Sequence, residues 1–134
     1  MYDALVLPGG HGTLWDINQD EHVQKLLREK IEEAGALVIC HAVGVLGFMP
    51  ELTEGRNITG FPNEWEEEQV DKNEVRKGEK LPYRVEDRVK EAGGNWDAEL
   101  DSDTSMTVDG KLVTARGPES SQRGAEKFLE VLEE

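Results

Sequence analysis

Three stretches carry residue types that do chemistry: Cys40-His41, the loop Gly9-Gly10-His11-Gly12, and the acidic run Glu64 to Glu68 around Trp65. Cys40 follows directly on the apolar run Ala36–Ile39, and Ala42-Val-Gly44-Val-Leu-Gly47-Phe48 continues with no polar loop between. A strand that passes straight into a helix must turn sharply, which thrusts the residue at the turn out above the sheet. Such a nucleophile elbow often strains its own backbone. It also places the sulfur at a helix N-terminus, where unpaired N–H groups and the macrodipole favour the thiolate. His41 adjoins it as a proton-shuttling partner. A single cysteine at a strand end is otherwise a packing residue; the setting is what points to chemistry.

The glycine loop can adopt backbone angles closed to other residues and bring N–H groups close to a ligand. It lacks the spacing of a dinucleotide or Walker-type phosphate loop. The glutamates read first as a solvated helix start, where carboxylates complement the dipole. His11, His22 and His41 lie on different elements and only one cysteine exists, so no metal-ligand spacing is present. No metal or other cofactor is expected.

The 134 residues suit one domain, residues 1–134, with a single core. A formal net charge of −14 argues against nucleic acid and anionic membranes as partners, since both call for basic patches. One cysteine excludes an intrachain disulfide and suits a reducing, cytoplasmic compartment. No apolar run approaches the ~20 residues that span a bilayer.

Elements must position these residues. Tyr2 to Leu7 reads as a buried strand stopped by Pro8-Gly9-Gly10, and a helix follows from about Asp20 to Ala34, ended by Gly35. Ala36–Ile39 is a strand buried on both faces, as in parallel sheets. Pro50 to Gly55 reads as a turn, Asn57 to Phe61 as a short strand, and about Arg84 to Ala92 as a helix. Asn95 to Asp103 reads as a polar connection. Thr104–Val108 and Lys111–Ala115 form a hairpin around Asp109-Gly110. Arg116 to Ser121 is a loop into a last helix reaching Leu132. The alternation indicates an α/β sandwich.

Tyr2-Asp-Ala-Leu-Val-Leu-Pro-Gly-Gly-His-Gly-Thr-Leu-Trp-Asp16, Val38-Ile-Cys-His41 and Asp109-Gly-Lys-Leu-Val-Thr114 resemble the ThiJ/PfpI superfamily, part of the class I glutamine-amidotransferase-like group. The glycine-loop version is most similar to its heat-shock chaperone and glutathione-independent glyoxalase branch. Ala115-Arg-Gly-Pro118 looks more like the PfpI protease branch. The resemblance implies a flavodoxin-like three-layer sandwich with a mostly parallel sheet and a late hairpin. The site would lie at the carboxyl ends of the strands. It implies Cys40 as nucleophile, His41 as its acid/base partner and Glu66 as the third member, with Glu64 and Glu67 as near rivals. The amides of Gly10 and His41 would form an oxyanion hole, and His11 would line the pocket. Arg116 would hold an anionic substrate group or join a subunit contact.

Two departures stand out. Ala42 replaces a common glycine, so a methyl group would narrow the pocket floor. Relatives also place a strand, a helix and a further strand ahead of Tyr2, including a glutamate that acts as general base in glyoxalases. The chain is therefore expected to be an N-terminally truncated version of the fold. Its open edge would be covered by another copy or a partner chain. The resemblance implies a cysteine enzyme acting on small reactive carbonyls, as in methylglyoxal to lactate. A cysteine peptidase or amidase is the alternative, as is a non-catalytic chaperone-like or redox-sensing relative.

Overall fold

A computed structural model describes residues 4–66, 82–96, 106–117 and 120–133. Four strands form the main sheet: β1 (Leu5–Leu7), β2 (Ala36–Ile39), β5 (Met106–Asp109) and β6 (Leu112–Ala115), in the order β1-β2-β6-β5. β1 and β6 both run parallel to β2, with Leu5 opposite Ala36 and Ile39 opposite Ala115; β5 is antiparallel to β6. Asp109 pairs with Leu112, so Asp109-Gly110 turns the hairpin as expected, with Gly110 at φ 59°. The positions expected at Tyr2, Asp3, Thr104 and Ser105 lie outside the described residues.

Helix α1 (Glu21–Glu33) starts where Asp20 accepts hydrogen bonds from the amides of His22 and Val23. Asp20 therefore caps the helix rather than belonging to it. Leu27 and Ile31 face one side of the sheet, in a cluster with Val38, Leu112 and the helix that follows Cys40. Helix α4 (Ser121–Glu133) covers the other side, where Phe128 and Val131 meet Leu37, Val113 and Ala115. These are the three layers of the expected sandwich, and alternate residues of β2 serve its two faces. His22, on the first turn of α1, is exposed. At the β1 edge Val6 is 49% exposed, and on α4 Leu129 is 61% exposed.

Three local expectations need correction. The elbow helix, Cys40–Phe48, is a 3-10 helix, and Cys40 to Gly47 are all buried. A helix closed in on every side takes its form from its neighbours, and Gly44 and Gly47 admit close approach from Tyr83 and Arg88. The turn at Pro50 contains a short helix, α2 (Pro50–Thr53), with proline at its first position. Asn95-Trp96 is not polar connection but strand β4, parallel to β3 (Asn57–Ile58). Helix α3 (Val85–Glu91) lies where a helix was expected, and residues 63–66 are helical.

Candidate active site

Cys40 sits at the carboxyl end of β2 with φ 58°, the one non-glycine residue at positive φ among the described residues. That is the strained backbone expected of an elbow. Its Sγ lies 3.3 Å from Nδ1 of His41, and Nε2 of His41 lies 2.7 Å from Oε2 of Glu66. His41 is 2% and Glu66 1% exposed. Phe61 stacks on the imidazole at 4.1 Å and fixes its plane. Of the three acidic candidates, Glu66 reaches the histidine. Glu64 is exposed, and Glu67 lies outside the described residues.

The glycine loop faces the sulfur. The backbone N–H groups of His41 and Gly10 both donate toward Cys40, the arrangement an oxyanion hole requires. Gly10 reaches this position at φ 121°, open to glycine alone. Gly9 is there for space: a Cβ on it would stand 2.6 Å from Cβ of Cys40 and 3.0 Å from the Ile39 carbonyl. Gly9→Ala is expected to lower stability by about 1–3 kcal/mol through overpacking and to pull the Gly10 amide off line. Chemical denaturation and turnover measured side by side check both effects.

The expected favouring of the thiolate does not hold in the free protein. Burial pushes the Cys40 thiol up to about 12, outweighing the two amide hydrogen bonds, and the nearby Glu66 charge acts in the same direction as burial. The sulfur is held as the thiol, with Nδ1 of His41 3.3 Å away. The folded state therefore keeps a proton that the unfolded chain releases near pH 9. Stability due to this group is full below about pH 9 and lost as pH rises toward 12. The difference between wild type and Cys40→Ala is expected to shrink by up to about 1.4 kcal/mol per pH unit in that window. Denaturant titrations at pH 8 and pH 10.5 measure it.

Arg116 lies at the carboxyl end of β6, 5% exposed, its guanidinium carbon 5.7 Å from the Trp65 ring centroid and its Nε 3.4 Å from Oγ1 of Thr59. It thus packs into the wall beside the site. His11 opens a 3-10 helix, His11–Leu14, and its side chain is outside the described part. Ala42 is fully buried in the core cluster that holds Leu14 and Val38. Sequence reading missed Phe61 and Trp65 as walls of the site, and it missed Asn18 and Tyr83, which meet behind the elbow. Only the aromatic character of Phe61 and Trp65, close to Glu66, hinted at the first pair. Among the described residues no helix is long and apolar enough to cross a membrane, and no cluster of three metal-ligating side chains occurs.

A sequence model described as the DJ-1/PfpI family matches residues 1–131. A probable glutathione-independent glyoxalase of Schizosaccharomyces pombe is 30% identical over 98% of this chain and 53% of its own length. A second glutathione-independent glyoxalase of the same yeast is 28% identical, over 98% of this chain and 58% of its own. The chain thus spans a little over half the length of these curated relatives. Among solved structures, the rapid encystment protein of Francisella tularensis superposes with a TM-score of 0.83 at 27% identity. That match covers 98% of this chain and 58% of the other.

Proposed function

The chain belongs to the DJ-1/PfpI family, and on that premise we propose that it is a cysteine-dependent enzyme for small reactive carbonyls, converting methylglyoxal to lactate. One observation carries the reading: the hydrogen-bonded line from Cys40 through His41 to Glu66, with the amides of Gly10 and His41 converging on the sulfur. The names of the two yeast relatives support the substrate class.

As the aldehyde carbon nears Sγ, the thiol proton passes to Nδ1 of His41 and the S–C bond forms. Glu66 accepts the Nε2 hydrogen bond and stabilises the imidazolium, while the two amides hold the oxygen that becomes negative. The imidazolium returns its proton to that oxygen, and Nδ1 of His41, neutral again, takes the C1 hydrogen of the hemithioacetal as a proton, leaving an enediolate. Reprotonation at C2 gives the lactoyl thioester. Water cleaves the C–S bond, releasing the hydroxy acid and restoring the thiol.

Exposure favours this reading over the peptidase one. Cys40 is only 6% exposed, which suits a two- or three-carbon electrophile better than a polypeptide. Following methylglyoxal loss and lactate formation beside a Cys40→Ala control tests the proposal. Loss that requires Cys40 supports it, and equal loss in both samples overturns it. Cleavage of peptide or amide substrates without methylglyoxal turnover would move the chain to the hydrolytic branch.

A further inference from the structure

We infer that Asn18 and Tyr83 form a positioning pair that locks the nucleophile elbow against the glycine loop. Asn18 lies on a 3-10 turn, Ile17–Gln19, directly downstream of the loop that supplies the Gly10 amide. It is a polar residue with 0% exposure, far from where a surface loop would leave it. Its Nδ2 donates to the His41 carbonyl at 2.9 Å and to the Tyr83 hydroxyl at 2.9 Å. The His41 carbonyl can only accept, so the amide orientation is fixed: a flipped side chain would set oxygen against oxygen.

The other end of the side chain shows what is given up for this placement. Oδ1 of Asn18 is buried with no hydrogen-bond partner among the described residues, a cost a merely packing residue would not carry. The elbow helix is shaped to receive the pair. A Cβ on Gly44 would lie 2.7 Å from Asn18 Nδ2 and within 3.0 to 3.1 Å of the Tyr83 ring and hydroxyl. Phe48, at the end of the same helix, packs edge-on against Tyr83 at 5.1 Å. Burial pushes the Tyr83 hydroxyl up to about 12, so it stays protonated. One amide group thus ties the turn that follows the glycine loop to the peptide unit of His41 and to Tyr83.

The inference takes Cys40 as the nucleophile of the proposed reaction, and its test reads the sulfur directly, so it stands or falls apart from the choice of substrate. The experiment is the rate of Cys40 alkylation by iodoacetamide against pH in wild type, Asn18→Ala, Tyr83→Phe and the double variant. Melting temperatures are recorded alongside. Loosening the elbow hydrates a nearly sealed sulfur. Alkylation at pH 8 is therefore expected to quicken about tenfold for Asn18→Ala and about fivefold for Tyr83→Phe, the scale of one or two lost hydrogen bonds. The double variant is expected to match Asn18→Ala rather than multiply the two effects. If methylglyoxal is turned over, kcat should fall about tenfold with KM little changed. A purely structural role would lower the melting temperature and leave the alkylation profile of the folded protein unmoved, which would overturn the inference. Should Asn18→Ala fail to fold, an unchanged profile for Tyr83→Phe overturns it equally.

Discussion

Cys40→Ala is expected to reduce kcat/KM for methylglyoxal by roughly ten-thousandfold or more, the scale seen when a nucleophile is removed from a preorganised site. No other group can form the thioester, since this is the chain's one cysteine. The fold should survive: the substitution removes one sulfur atom from a residue that is already small, a cost of about 1 kcal/mol. Cys40→Gly separates chemistry from strain. Alanine at φ 58° keeps the left-handed penalty of about 1–2 kcal/mol, while glycine is free of it. The glycine variant is expected to be as inactive as the alanine one but more stable to denaturant. Retained turnover in either variant would remove Cys40 from the reaction.

Glu66→Gln is expected to lower kcat about 100- to 10,000-fold, with a much smaller change in KM. Glutamine keeps the length of the side chain and can still accept from Nε2, but it carries no charge to stabilise an imidazolium. His41 must take the thiol proton, because the buried sulfur does not ionise on its own near neutral pH. The acid therefore matters more here than beside a preformed thiolate. Glu66 is 1% exposed, so no solvent charge replaces it. Glu64→Gln, altering an exposed neighbour two residues away, is expected to leave turnover unchanged. Steady-state kinetics on the three proteins decide it: equal kcat in Glu66→Gln and wild type would remove the acid from the catalytic line.

Much of the site was legible because its determinants are local. Cys40 stands out because an apolar strand meets an apolar helix with nothing between, and that junction is written in consecutive residues. The Asp109-Gly110 hairpin and the Asp20 helix start are local in the same way. The glycine loop could be read as a place of close approach, although which glycine served conformation and which served space could not.

Tertiary structure decided the rest. The family resemblance singled out Glu66 over its neighbours Glu64 and Glu67, but only the packing of residues 61–66 against the elbow brings its carboxylate to His41. The direction of the Cys40 shift also reversed, because the amides that favour a thiolate are sequence neighbours or motif partners, whereas the burial opposing it comes from the whole assembled core. Asn18 carried no signal at all: its burial arises from contacts with the elbow helix and with Tyr83, 65 residues away. Covalent neighbours fix the kind of chemistry a chain can offer. The protonation, orientation and support of those groups depend on desolvation and long-range contacts that exist only once the chain has folded.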